Sequence, residues 1–333
     1  MTRDAMSEAV ELSVLIPVYN EAENVPLLVA RVVPLLERYV ESFELLFVND
    51  GSSDATLEAI RAAHATEPRV RALSLSRNFG KEIAIAAGLD HVTGRATVIM
   101  DADLQHPPEM IESFVRFWRQ GYKNVYGQRV DRTADSALRR HLTQRFYKLF
   151  GSVGETTLPE GAGDFRLLDA QAVAALRAMR EHARFSKGLY AWIGFRSIGV
   201  PFEVGARAHG TSKFSYRKLT RFALDGLMSF TTMPLKVWSY MGTFISGIAF
   251  ATAIYFVVQT LLFGVDVPGF ASLIVSVTFL AGIQLLSLGV LGEYVGRIFA
   301  EVKRRPLYLV EEQIGLRETD AVRPTVAADR REA

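Results

Sequence analysis

Ala96-Thr-Val-Ile-Met-Asp-Ala-Asp-Leu-Gln-His-Pro-Pro-Glu109 reads as a strand that empties into an acidic turn and then starts a helix. The apolar run does not alternate, so it suits a strand buried on both faces. Asp101 and Asp103 sit one residue apart on the loop that leaves it. Two such carboxylates can turn toward one hard divalent cation, Mg²⁺ or Mn²⁺, which would bridge a substrate diphosphate and neutralise its charge as it leaves. Asp-X-Asp alone is a common solvated turn. Its place directly after a buried strand gives it weight. His106 reads as a ligand or as a packing group, and a loop histidine beside two prolines favours packing.

Working outward, short apolar runs at Leu12 to Pro17, Phe43 to Asp50, Val70 to Ser76, Ala96 to Asp101 and Asn124 to Gln128 predict strands. Helical patterns at Ala22 to Tyr39, Ala55 to Ala65, Glu82 to His91 and Glu109 to Gln120 lie between them. This alternation predicts an α/β, Rossmann-like fold with a mostly parallel sheet and helices on both faces. Ligands of such sheets bind beyond the carboxyl ends of the strands. Strand one ends in Pro17-Val-Tyr-Asn-Glu21 and strand two in Val48-Asn-Asp-Gly-Ser52, so three strand ends bring carboxylates to one rim. The Gly-rich dinucleotide turn and the phosphate loop ending in Gly-Lys-Ser/Thr are absent, which argues against a dehydrogenase or an ATPase.

The 333 residues carry 38 Lys plus Arg against 36 Asp plus Glu and no cysteine. Disulfides and thiol catalysis are excluded, and the small net charge gives no case for nucleic-acid binding. Met1 to Glu11 is polar, reads as a flexible N-terminus and lacks the apolar core of a signal peptide. Charge is unevenly spread. The 56 positions from Val237 to Gly292 hold one charged residue, Asp266. Two runs, about 237–264 and 269–292, each exceed the ~20 residues that cross a bilayer as a helix. Soluble core helices are the alternative, but they are seldom so long without charge. Lys218, Arg221 and Lys236 precede the first run and Arg297, Lys303, Arg304 and Arg305 follow the second, whereas the turn between them has no Lys or Arg. The positive-inside rule then predicts a two-helix hairpin within 236–299, multi-pass in the plasma (inner) membrane, with the catalytic domain and both termini cytoplasmic. Residues 216–235 place apolar groups at helical spacing opposite basic ones, which suits an interfacial amphipathic helix or a helix packed on the catalytic domain. The segment 300–333 reads as a cytoplasmic tail, disordered after about 317.

The strand-one Pro-Val-Tyr-Asn-Glu, the strand-two Asn-Asp-Gly-Ser-Ser-Asp, Ser76-Arg-Asn-Phe-Gly80 and the acidic turn together resemble glycosyltransferase family 2, a GT-A fold. Gly163-Asp-Phe-Arg-Leu167, Arg184-Phe-Ser-Lys-Gly188, Arg207-Ala-His-Gly-Thr-Ser-Lys213 and the terminal apolar runs make the chain similar to polyprenyl-phosphate glycosyltransferases over about residues 12–310. That group contains dolichol-phosphate mannose synthases and bacterial undecaprenyl-phosphate glucosyl- and aminoarabinosyl-type transferases. The resemblance implies a catalytic domain at 12–215 in which Pro17, Tyr19, Glu21, Val48 and Asp50 hold the nucleotide. It implies that Asp101, Ala102, Asp103 and Gln105 hold the diphosphate and that Asp101, Asp103 and Gln105 hold the metal. Arg129, Arg139 and Thr143 would contact the acceptor phosphate. Arg207 and Lys213 would close over the diphosphate. Among these, Asp103, Asp164, Arg207 and Lys213 are the expected catalytic group. Asp164 is the family's usual general base, but a phosphate monoester with a second pKa of ~6 is already largely dianionic near neutrality. Orienting a substrate, or a buried salt bridge, is an equal reading of Asp164.

The resemblance further implies inverting sugar transfer from a nucleotide-sugar donor to a polyprenyl phosphate beside the lipid bilayer, by a homo-oligomer, often a tetramer. UDP-glucose and undecaprenyl phosphate are the first choices. GDP-mannose, a modified pentose donor, or a nucleotide-binding adaptor without turnover stand as alternatives.

Overall fold

Inner strands β1 (Leu12–Val18), β2 (Phe43–Asn49) and β4 (Ala96–Ile99) are almost wholly buried, as unalternated apolar runs require. The computed structural model describes residues 10–129, 161–182, 184–202, 233–263 and 269–316. The other elements up to residue 129 are α1 (Asn24–Tyr39), α2 (Thr56–Thr66), β3 (Val70–Leu75), α3 (Lys81–His91), α4 (Met110–Arg119) and β5 (Asn124–Arg129). After them come β6 (Ala162–Asp169), α5 (Ala170–Ala178), α6 (Ser186–Trp192), β7 (Ser197–Phe202), α7 (Met233–Phe263), α8 (Phe270–Val302) and β8 (Val310–Ile314).

The strands lie in the order β7-β5-β6-β4-β1-β2-β3-β8. β3, β2, β1 and β4 are mutually parallel, as the alternation of strands and helices demands. β5 and β7 are also parallel, but β6 is antiparallel to β4 and β5, and β8 to β3. The sheet is mostly parallel, as expected, in four of its seven strand pairings, and is mixed through β6 and β8. β6 and β8 do not continue the strand–helix units of the first half, and antiparallel pairing needs no crossover helix.

Alternating side chains of β1 divide the core. Val14, Ile16 and Val18 face Val25, Leu28 and Val32 of α1 and Phe114 of α4. Leu15, with Leu46 and Val48 of β2, faces Ala84, Ile85 and Ala87 of α3. Helix α3 presses so closely that a Cβ on Gly88 would lie 2.0 Å from Leu15 Cδ1.

Helices α7 and α8 run for 31 and 33 residues. At ~1.5 Å per residue each exceeds the ~30 Å of a bilayer's hydrocarbon. Phe244, Phe250, Tyr255, Leu262, Phe279 and Leu285 are among their exposed apolar side chains. Among the described residues, Phe279–Val302 is the one helical segment both long and apolar enough to count as a candidate span. The turn through Asp266 and nearly all of the 216–235 segment lie outside the described residues, as do residues beyond 316. Within the 300–333 segment, residues 310–314 form an edge strand of the catalytic sheet, which the sequence did not announce.

Candidate active site

Because β4, β1 and β2 are parallel neighbours, their carboxyl ends open on one rim. β6 brings its amino end there, since it runs antiparallel to β4 with Ile99 opposite Arg166. Continuing that register by two places sets Asp101 opposite Asp164. β4 ends at Ile99, short of the Asp101 expected from the sequence, and this frees the acidic turn. Within the turn Asp103 Oδ1 accepts from the Gln105 N–H at 3.1 Å, and Leu104 takes a left-handed φ of 56°. That conformation is uncommon for a non-glycine residue and clusters at functional sites.

A residue not selected from the sequence joins the two acids. The Lys81 ammonium lies 2.6 Å from Asp101 Oδ1 and 2.9 Å from Asp164 Oδ2. Burial opposes its charge, but Asp164 and Asp101 prevail and hold it well above the ordinary lysine range. Burial would likewise raise the Asp164 carboxyl, yet Lys81, Lys187 and Arg166 hold it well below the usual carboxylate range. The other Asp164 oxygen, Oδ1, is buried and has no hydrogen-bond partner among the described residues. Next to Lys81, Glu82 accepts from the Ser186 N–H at 3.0 Å and from the Ser186 hydroxyl. Burial and the Asp164 charge push the Glu82 carboxyl up. Arg166 is buried over the Tyr190 ring at 3.6 Å. The sequence held one hint of Lys81. A lysine in the first turn of a helix opposes the macrodipole and points to carboxylates elsewhere.

Asp50 is buried, and its two oxygens accept from the Phe79 N–H at 2.7 Å and the Gly80 N–H at 2.9 Å. Burial still pushes its carboxyl up, against those two bonds. Asp50 thus anchors the loop that presents Lys81. Gly51, with φ of 63°, must be glycine, because a Cβ would lie 2.3 Å from the Arg77 carbonyl carbon. The strand-one loop is laced to the strand-two loop by Asn20 N–H to Ser52 Oγ and Glu21 N–H to Thr56 Oγ1, both 2.9 Å. Glu21 accepts from Asn24 Nδ2 at 2.6 Å, Tyr19 is exposed and Pro17 is half-buried.

Other expected residues fare differently. The Val48 side chain is wholly buried in the α3 layer and Ala102 in the opposite layer, so neither side chain reaches the rim. His106 is the packing group, stacked on Phe165 with ring centroids 5.0 Å apart. Burial pushes its imidazole below the ordinary range, despite Asp101 and Asp103 nearby. Arg129 ends β5, where its N–H bonds to the Gly161 carbonyl at 3.1 Å. Arg139, Thr143, Arg207 and Lys213 lie outside the described residues.

Residues 13–177 match the family model described as glycosyl transferase family 2. An uncharacterised glycosyltransferase of Synechocystis sp., sll0501, is 46% identical over 307 residues, covering 92% of this chain and 96% of that protein. The chain belongs to glycosyltransferase family 2. The family 2 relatives include the SfII prophage-derived bactoprenol glucosyl transferase of Shigella flexneri, 41% identical over 91% of this chain and 98% of that one. The prophage bactoprenol glucosyl transferase homolog of Escherichia coli K12 is 40% identical over 90% and 98%. Among solved structures, a Pyrobaculum calidifontis mannosyltransferase in complex with GDP-Man and Mn²⁺ aligns with a TM-score of 0.43 at 20% identity, over 59% of this chain and 56% of that one.

As a family 2 glycosyltransferase the protein is an enzyme, and its sheet with a carboxylate-bearing rim is a GT-A fold. The donor set at the rim suits a hard divalent cation. It offers carboxylate oxygens, and Lys81 shows that Asp101 takes a cation as partner. Among the described residues no three His, Cys, Asp or Glu side chains gather into a metal cage. A cation shared between one or two carboxylates and substrate phosphates, the usual Mg²⁺ arrangement, needs no such cage.

Proposed function

We propose that this enzyme is an inverting glucosyltransferase that moves glucose from a nucleoside diphosphate glucose, UDP-glucose in the first instance, to a polyprenyl phosphate at the cytoplasmic face of a membrane. The observation that carries the reading is end-to-end similarity to proteins named bactoprenol glucosyl transferases, which spans the acidic rim and both long helices. GDP-mannose and modified-pentose donors are the competing outcomes.

In this mechanism a phosphate oxygen of the acceptor attacks the anomeric carbon. The bond from that carbon to the diphosphate oxygen breaks on the opposite face, and the electron pair leaves with the nucleoside diphosphate. Asp101 and Asp103, with Gln105 beside them, would hold Mg²⁺ or Mn²⁺, which supplies Lewis-acid neutralisation of the departing charge. Lys81 adds a fixed positive charge at the same rim, where preorganised charge acts most strongly. The acceptor phosphate has a second pKa of ~6, so little of the barrier lies in removing a proton. Asp164 is held ionised by Lys81, Lys187 and Arg166 and is a weak proton acceptor. We assign it to positioning: one oxygen fixes Lys81, and Oδ1, which has no partner among the described residues, would accept a hydrogen bond from a substrate hydroxyl. Arg129, Arg139 and Thr143 are assigned to the acceptor phosphate, and Arg207 and Lys213 to the diphosphate.

Two features support the membrane topology. The chain leaves the sheet at β7 and returns to it at β8 with α7 and α8 between, which fits an even number of crossings. Lys303, Arg304 and Arg305 lie on the sheet side of α8, which fits a cytoplasmic catalytic domain. The test is incubation of the full chain with Mn²⁺, undecaprenyl phosphate and a panel of sugar nucleotides, followed by mass spectrometry of the lipid. A hexosyl adduct formed with UDP-glucose is expected. An adduct from another donor alone revises the sugar, and none from any donor contradicts the reading.

A further inference from the structure

The chain beyond α8 has almost no free length before it enters the catalytic sheet. Arg304, with a left-handed φ of 49°, ends the helix, a conformation that costs a non-glycine residue about 1 kcal/mol or more and persists where contacts fix it. The contacts follow within a few residues. The Glu301 carboxylate accepts from the His182 N–H at 2.7 Å, and a His182 ring nitrogen lies 3.1 Å from its second oxygen. The other ring nitrogen is 2.9 Å from the Arg305 carbonyl. The Tyr308 hydroxyl donates to buried Asp90 at 2.9 Å, and Arg180 pairs with the same oxygen at 2.6 Å. The Leu309 carbonyl accepts from the Ser76 N–H at 3.0 Å. β8 then pairs with β3 from Leu75↔Val310 to Ala72↔Ile314, and Glu312 takes a two-pronged ion pair from Arg61.

These anchors fall on structures that frame the transfer site. Asp90 lies on α3, which begins at Lys81, and His182 lies on the segment that leads to Ser186, the partner of Glu82. We propose that residues 303–316 form a rigid strap that fixes the height and tilt of the catalytic rim relative to α8, so that transfer to a bilayer-held acceptor depends on the strap's length while the chemistry does not. This rests on the membrane-acceptor reading given above. A rim held at a set distance suits an acceptor whose phosphate cannot leave the surface, and positional errors near 1 Å can cost about a hundredfold in rate.

The test inserts Gly-Ser-Gly-Ser after Pro306, a length of up to ~14 Å when extended, in a Glu301→Ala, His182→Ala background, so that the contacts before the insertion no longer hold α8 to the catalytic domain. Glucosyl transfer is measured to undecaprenyl phosphate in vesicles and to a short water-soluble prenyl phosphate in detergent. The ratio of the two rates is expected to fall at least about tenfold, with the soluble rate kept within about twofold of wild type. A ratio unchanged from wild type, or an equal fall in both rates, overturns the strap. Should the insertion fail to fold, the Glu301→Ala, His182→Ala double variant alone, which removes the contacts of Glu301 and Arg305 with His182, is read by the same ratio. Hydrogen exchange gives an independent measurement: strong protection of 310–314 is expected, and fast exchange there overturns the rigidity. A wild type inactive on both acceptors contradicts the glucosyltransferase reading instead and leaves the exchange measurement to decide the strap.

Discussion

At 2.6 Å from Asp101 and 2.9 Å from Asp164, the Lys81 ammonium ties the first acid of the Asp101–Asp103 turn to the acid on β6. Lys81→Met leaves both carboxylates without that partner, and we expect kcat to fall roughly a hundredfold, the scale of losing one preorganised electrostatic group. Lys81→Arg should recover part of the loss. Steady-state kinetics with native-like circular dichroism checks this, and an unchanged kcat would sink the role. The pH dependence separates two views of Asp164. Its folded pKa is depressed, so its ion-pair contribution is present above the ordinary carboxylate value of ~3.9 and lost as pH falls through the folded value. Its charge therefore does not change between pH 6 and 9. An acid limb near pH ~6 belongs to the acceptor phosphate and should persist in Asp164→Asn at reduced rate. If Asp164→Asn abolished that limb, Asp164 would be the base. Asp101 and Asp103 were legible because two acids follow a buried strand. Lys81 offered only its unfavourable place at a helix start, since its partners follow β4 and lie on β6 and the sequence shows no such proximity.

Helix α3 and strand β8 show what element-scale reading does and does not reach. α3 was legible from its apolar run, and its nearly complete burial follows from lying against β1 and β2. At Gly88, alanine would gain about 1 kcal/mol of helix propensity. Overpacking against Leu15 costs about 1 to 3 kcal/mol and should win, because that contact would be 2.0 Å. Gly88→Ala is therefore expected to lower Tm, and a raised Tm in a thermal melt would contradict the tight approach. β8 was missed because Val310-Glu-Glu-Gln-Ile314 has the composition of a solvated tail. Edge strands are often charged, which discourages pairing with other chains. The partner that makes it a strand, β3, lies more than 230 residues earlier in the chain. Ending the chain after Arg305 uncovers the β3 edge. We expect a lower Tm and more aggregation by light scattering, with both unchanged if β8 is dispensable.

For the whole molecule, the even overall balance of 38 basic and 36 acidic residues conceals two materials. Charged groups cluster on a sheet that binds polar substrates, and 56 positions with one charge follow. The composition made that division legible, and the exposed apolar faces of α7 and α8 agree with it. The absence of cysteine makes topology directly measurable. In inside-closed cells, Asp266→Cys should react with an impermeant thiol reagent, and Glu311→Cys should react only after the membrane is opened; the reverse pattern would invert the orientation.

The reaction proposed for this enzyme is the transfer of a sugar to a membrane-held phosphate. The most direct measurement uses the wild-type chain in vesicles with undecaprenyl phosphate, Mn²⁺ and UDP-glucose, followed by mass and anomeric configuration of the extracted lipid. The account predicts one hexose joined through phosphate in the β configuration, inverted from the α donor. A lipid left unmodified, or an α-linked product, would contradict it.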